Sequence, residues 1–235
     1  MKTLVIIPAY NEAENIVRVV EELSSYGYDY VVINDGSADD TASICTKHGY
    51  HLIDMPVNVG LTGVVQTGMK YAYKHGYDCV VQLDGDGQHD PQYLSAMIDC
   101  MAQNENDIVI GSRFVEKQKP ATLRMLGSNL IQAAIRLTTG QTITDPTSGL
   151  RLYSRRMLKL FSNDINLTPE PDTISFLIRC GAKVSEIQVE MRERIAGESY
   201  LNFSRSMQYM LRMTISILLI QWFRVKKKLA ERVTV

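Results

Sequence analysis

Little in this 235-residue chain points to disulfides, to a membrane span or to nucleic acid. It has only four cysteines, Cys45, Cys79, Cys100 and Cys180, and none stands in a Cys-x-x-Cys pair. Thiols so widely spaced argue against a disulfide framework or a zinc knuckle. They are expected to be reduced packing residues, as in a cytosolic protein. The net charge of −1 gives no electrostatic case for binding nucleic acid. No apolar run reaches the roughly 20 residues needed to cross a bilayer. Met1 leads directly into the strand-like Leu4-Val5-Ile6-Ile7-Pro8, so no leader peptide is expected. There is no internal repeat and no low-complexity linker. What is present is enough apolar residue, 45%, to bury a sizeable core in one large α/β domain or two small ones.

Charge is unevenly spread. Residues 200–235 carry Arg205, Arg212, Arg224, Lys226, Lys227, Lys228 and Arg232 against Glu231, a local charge of +6 that leaves −7 on the rest. Within this tail Met213–Phe223 is strongly apolar and contains Trp222. A short apolar helix followed by lysines suits the interface of an anionic membrane better than a span. Packing on the domain or on a second subunit is the plainer reading. The simplest partition is a catalytic domain, 1–200, and a C-terminal basic and apolar helical segment, 201–235.

Short β-branched runs alternate with amphipathic stretches. Strands are expected at 3–8, 29–34, 51–54, 78–84 and 107–111, and helices at 12–25, 38–48, 61–75 and 91–103. This alternation predicts a mostly parallel sheet with crossover helices. Asn11 and Ser37, each followed by acidic residues, read as helix starts, and Asp90-Pro91 as an N-cap with proline at the first helical position. Beyond 112 the pattern weakens. Helices are expected at 122–139, 154–162 and 172–180, and one strand at 183–190.

Ligands of open parallel sheets bind beyond the carboxyl ends of the strands. Polar clusters stand at four such ends: Pro8–Glu12, Asn34–Ser37, Asp84–Gln88 and Gly111–Arg113. The third is the most pointed. Asp84, Asp86 and Gln88 are spaced by two, so one short loop can aim three oxygen-bearing side chains at one place. Oxygen ligands suit Mg²⁺ or Mn²⁺, which keep positions open for phosphate oxygens. His89 beside them reads as a structural neighbour, since such a cation prefers oxygen. Gly60, Gly63 and Gly68 fit close helix packing as well as a phosphate loop.

Taken together, Pro8-Ala9-Tyr10-Asn11-Glu12, Asn34-Asp35-Gly36-Ser37, Asn58-Val59-Gly60 and Asp84-Gly85-Asp86 resemble the family-2 glycosyltransferases of GT-A (Rossmann-like) fold. The extended Asp84-x-Asp86-x-Gln88, Gly111-Ser112-Arg113, Asp145–Arg151 and Arg194–Ser199 are similar to the branch that acts on dolichyl and polyprenyl phosphates. The resemblance covers about residues 3–200. It implies a UDP- or GDP-sugar donor, UDP-glucose for choice, and an essential divalent metal. Pro8, Tyr10, Glu12 and Asp35 would line the base and ribose pocket. Asp84, Asp86 and Gln88 would hold the metal, and Asp84 would also approach ribose and sugar. Arg113 and Arg194 would meet the diphosphate or the acceptor phosphate, with Asp145 on the acceptor side. One departure stands out. The branch carries lysine after its Gly-x-Ser, where this chain has Tyr200, and Arg192 and Arg205 are the nearby cations.

The reaction expected is direct displacement at the anomeric carbon with inversion. A lipid phosphate is largely anionic near neutral pH and needs no general base. A hydroxyl of a glycan or lipid-linked oligosaccharide would need one. Asp145 is then the first candidate, followed by Glu170 and Asp172. A catalytically silent nucleotide-sugar-binding subunit is the reading from another class. The lipid-phosphate reading places the protein on the cytoplasmic face of the cell membrane, in cell-envelope glycan synthesis. Oligomeric state is open.

Overall fold

The computed structural model describes residues 1–192 and 203–224. Seven strands, β1 (Thr3–Ala9), β2 (Asp29–Asn34), β3 (Leu52–Asp54), β4 (Cys79–Gln82), β5 (Ile108–Ser112), β6 (Arg151–Ser154) and β7 (Val184–Gln188), form one sheet in the order β3-β2-β1-β4-β6-β5-β7. All neighbours pair in parallel except β6, which runs antiparallel to both β4 and β5. Among the described residues eight α-helices surround it: α1 (Ile16–Ser25), α2 (Thr41–Lys47), α3 (Gly60–Lys74), α4 (Leu94–Asn104), α5 (Leu123–Thr139), α6 (Arg155–Asn163), α7 (Pro171–Arg179) and α8 (Phe203–Leu218).

The strands are apolar on both faces because both faces are covered. Leu4, Ile6, Val31, Ile33, Val80, Ile108 and Ile110 enter one core with α3, α5, α6, α7 and α8. Val5, Ile7, Val32, Val81, Val109 and Leu152 enter the other with α1, α2 and α4. Each fully buried aliphatic side chain contributes about 1.5–3 kcal/mol. Cys45, Cys79 and Cys180 are free and buried in these cores, as expected. Gly68 lies against β1: a Cβ there would press into Ile6. Close packing accounts for that glycine.

Two expectations need correction. A strand, β6, runs where none is expected between 112 and 183. It is only four residues long and carries a buried arginine, so it lacks the apolar signature of its neighbours. Helix α1 begins at Ile16, four residues after the expected start, and Asn11 adopts the left-handed conformation with φ 56°. Asp90 does cap its helical segment. Its carboxylate accepts from Gln92 N, and Pro91 opens a 3₁₀ turn that leads into α4.

The C-terminal helix α8 lies on α5 and α7 and contributes Met210, Met213 and Ile217 to the larger core. Contact with α5 is close at Gly127, where a Cβ would collide with Met210. The outward side of the same pair is apolar: Leu123, Leu126 and Leu130 on α5, Leu211 and Ile215 on α8, and Leu219 just past its end are all exposed. Among the described residues no helix is long and apolar enough to cross a membrane.

Candidate functional site

The strand order reverses between β1 and β4, with β2 on the far side of β1. That switch point opens a crevice at the carboxyl ends of the strands. A cavity of about 480 Å³ occupies it, lined by Pro8, Tyr10, Glu12, Asp35, Asn58, Leu61, Asp84 and Asp86. Three of the four expected polar clusters therefore share one wall.

The rim is stitched across two loops. Asn11 N donates to Ser37 Oγ (2.9 Å), Ala38 N to Asn11 Oδ1 (2.9 Å), Glu12 N to Thr41 Oγ1 (2.9 Å) and Ala13 N to Asp39 Oδ2 (3.1 Å). Asn11 and Ser37 thus serve each other's loops rather than the helices that follow them. Asp35, nearly buried, accepts from Val59 N (2.6 Å) and Gly60 N (3.0 Å) at the start of α3. It caps a helix 25 residues away and so holds the Asn58–Leu61 wall. Gly36, at φ 62°, allows this approach: a Cβ there would lie 2.8 Å from Asn58 N.

The Asp84–Asp90 loop is held from three sides. Asp84 N donates to His89 Nδ1 (3.2 Å), which leaves the imidazole proton on Nε2. Gln88 N closes on Asp86 Oδ1 (3.0 Å). Gly149 lies against the Asp84 carboxylate, and its missing Cβ would come within 3.0 Å of Asp84 Oδ2. On the far side Arg18 of α1 packs on Gly87, and its Nη2 is buried without a hydrogen-bond partner. Met191 bridges to His89, and Arg192 N donates to Gln88 O (2.9 Å). The Arg192 side chain spans Glu22 (2.8 Å) and Asp90 (2.6 Å).

Beyond the loop lies a buried polar cluster. Arg113 donates to Asp145 through Nε (2.6 Å) and Nη2 (2.9 Å), and its backbone N–H adds a third bond (3.2 Å). Asp145 is fully buried. Glu186 accepts from the backbone N–H groups of Thr144 (2.6 Å) and Asp145 (2.9 Å). Arg151 is also buried, and its guanidinium donates to the carbonyls of Pro146, Ser148 and Pro169, each at 2.8 Å. It staples the Asp145–Gly149 loop in place. Because β6 is antiparallel, that loop enters at the same edge where β4 and β5 end. Glu170 accepts from Tyr209 Oη, and Asp172 Oδ2 accepts from Ser216 Oγ (2.7 Å). Burial pushes the Glu170 carboxyl above its ordinary pKa, against the opposing pull of Tyr209 and Arg151.

The model of glycosyl transferase family 2 matches residues 4–161. The chain belongs to this family. It is 33% identical over 184 residues to the UDP-N-acetylglucosamine–dolichyl-phosphate N-acetylglucosaminyltransferase of Methanococcus voltae, covering 68% of this chain and 72% of that one. It is 28% identical over 216 residues to the undecaprenyl-phosphate mannosyltransferase of Micrococcus luteus, covering 86% and 88%. Among solved structures, glucosyl-3-phosphoglycerate synthase of Mycobacterium tuberculosis, in complex with Mn²⁺, UDP and glucosyl-3-phosphoglycerate, superposes with a TM-score of 0.66 at 19% identity, covering 94% of this chain and 79% of that one. The fold is GT-A.

In this glycosyltransferase Pro8, Tyr10, Glu12, Asp35, Asp84 and Asp86 line one cavity. Gln88 lies on the same loop, with its amide nitrogen 3.4 Å from Arg192 O. Arg113 and Asp145 form a separate pair that the Gly149 loop links to Asp84. Arg194, Ser199, Tyr200 and the lysines at 226–228 lie outside the described residues. Arg192, a sequence-level candidate for a phosphate contact, is committed to Glu22 and Asp90. Sequence reasoning missed Arg18, Arg151 and Gly149 as supports of the site. Gly149 and Arg151 both carried a signal, as members of the Asp145–Arg151 motif, and Arg18 carried none.

Proposed function

We propose that this family-2 enzyme moves a sugar, with inversion, from a UDP-sugar to a polyprenyl phosphate, with UDP-glucose as the first donor to test. The observation that carries the acceptor assignment is that none of the three candidate general bases lines the cavity. Asp145 is buried in a bidentate pair with Arg113, Glu170 receives Tyr209, and Asp172 receives Ser216. A hydroxyl acceptor needs such a base, whereas a phosphate oxygen arrives already anionic. The names of the relatives support the same acceptor class.

Asp84 and Asp86, with the Gln88 amide, suit Mg²⁺ or Mn²⁺. The set is all oxygen, and Gly149, lacking a Cβ, lets its loop pack directly against the Asp84 carboxylate and seat it. A cation held by two carboxylates keeps positions for diphosphate oxygens and would stabilise the charge of the departing nucleotide. Pro8, Tyr10 and Glu12 bound the base and ribose side. Asp35 caps α3 and retains lone pairs for a ribose hydroxyl. Arg113 and Arg194 are assigned to the phosphates, and Asp145 to holding Arg113 in its planar fork. The exposed leucines of α5 and α8, followed in sequence by Lys226–Lys228, are assigned to the anionic inner face of the cell membrane, where a polyprenyl tail resides.

The test is incubation with radiolabelled nucleotide sugars, Mn²⁺ or Mg²⁺ and short-chain polyprenyl phosphate. Label in the organic phase identifies donor and acceptor together. Metal-dependent donor turnover without organic-phase label points instead to a hydroxyl acceptor. No turnover of any donor points to a silent binding subunit.

A further inference from the structure

Lys119 is a cation that the reading so far leaves unused. It is half-buried, and its Nζ donates to Ser128 Oγ (3.1 Å) and Gln132 Oε1 (2.8 Å), both neutral groups of α5. No described carboxylate forms an ion pair with it, whereas its neighbour Arg113 is fully matched by Asp145. The two cations flank one ring, with Arg113 Cζ 5.0 Å and Lys119 Nζ 5.7 Å from the centre of Phe114. Burial pulls the Lys119 ammonium below its ordinary pKa, against the attraction of Asp145 and Glu186, and Arg113 pushes the same way. A lysine withdrawn from water without an anion is unfavourable unless a ligand brings one. Ser128 and Gln132 share one side of α5, and the exposed Leu126 and Leu130, each two residues from Ser128, lie on the opposite side.

We propose that Lys119 is a second acceptor-side cation, which binds, beside Arg113, the phosphate of a phosphomonoester. This deepens the proposed function and rests on it for the identity of the acceptor. It also supplies a cationic contact where Tyr200 replaces lysine and Arg192 is already paired. A single charge-assisted contact of this kind corresponds to about tenfold or more in affinity.

The test uses the full chain and titrates farnesyl phosphate, farnesol and inorganic phosphate in the presence of Mn²⁺ and UDP. Farnesyl phosphate is expected to bind more tightly than farnesol. Lys119→Met is expected to weaken it about tenfold or more, to leave UDP binding within about twofold, and to be largely rescued by Lys119→Arg. Unchanged farnesyl phosphate binding in Lys119→Met overturns the proposal, as does no binding by the wild type. A parallel loss of UDP binding and melting temperature overturns it too, because Lys119 is then only a strut between its loop and α5. Lys119-dependent binding without transfer from any donor leaves this site standing and removes the transferase assignment.

Discussion

Replacing Gly149 with alanine tests the placement of Asp84 without altering any charge. The Gly149 backbone lies outside the left-handed region, so alanine brings no torsional strain. Its Cβ, however, would stand about 1 Å short of ordinary contact with Asp84 Oδ2, and 3.3 Å from His89 Cε1. The loop cannot retreat. Ser148 Oγ is anchored on Gly111 O (2.6 Å), and Leu150 O accepts from Gly111 N (2.9 Å). The Asp84 backbone is fixed too, through His89 Nδ1. What yields is the Asp84 side chain, and a rotation of about 30° off its rotamer costs about 0.5–1.5 kcal/mol. Global stability therefore drops by about 1 kcal/mol. A reacting or metal-binding group displaced by about 1 Å loses about a hundredfold in rate, or roughly 2.7 kcal/mol of transition-state stabilisation. The assay is kcat/KM for metal-dependent transfer, with Mn²⁺ affinity followed by paramagnetic resonance and urea unfolding as the control. A Gly149→Ala enzyme with wild-type Mn²⁺ affinity and wild-type kcat/KM would refute the assignment of Asp84 to the metal.

Asp35→Ala removes two hydrogen bonds from the start of α3 and is expected to cost about 1–2 kcal/mol. Calorimetry should show a melting temperature lower by about 2–8 °C, and UDP affinity should fall with it; an unchanged melting point would deny Asp35 its capping role. The Glu170 carboxyl is held above its unfolded pKa, so it contributes stability that is full below the unfolded value and is lost as pH rises through the folded one. Glu170→Gln, neutral throughout, should match the wild type in acid and exceed it above that window in denaturant titrations; parallel curves across pH would contradict this. Leu211→Gln with Ile215→Gln alters only the outward side of α8 and spares Met210, Met213 and Ile217. The double variant is expected to float less with anionic liposomes at unchanged melting temperature, and equal flotation would remove that face from membrane binding.

Much of the parallel half of the sheet is legible from sequence, because strands buried on both faces read as unbroken β-branched runs and their polar ends mark the crevice. What escaped depends on partners distant in sequence. Asn11 and Ser37 look like helix caps in isolation, and only the neighbouring loop reveals that they bond to each other. Asp35 reads as a turn residue or a ribose ligand, and its hold on α3 appears once Val57 and Asn58 close over Gly36. Strand β6 was hidden because Arg151 occupies an interior position that periodicity expects to be apolar. Asp145 reads as a free carboxylate until Arg113, 32 residues earlier, arrives beside it. Pairings of that kind carry no local signal.

The antiparallel strand also bears on the order in which the molecule can form. Strand β6 stands between β4 and β5, although the chain makes both before it. Those two strands therefore have no final neighbour on that side until residues 151–154 arrive, and β4 meets β6 across some 70 residues of intervening chain. Pairing of this range is slow relative to the β1–β2–β3 unit, whose strands adjoin in order. The β1–β4 pairing that forms the nucleotide crevice is of the same long range, with Thr3 opposite Cys79, so the crevice too is expected to form after that unit. The Gly149 contact that seats Asp84 would come late, with the insertion of a single four-residue strand. A partly folded chain would then hold the β1–β2–β3 unit with neither the nucleotide crevice nor the seat of Asp84 complete.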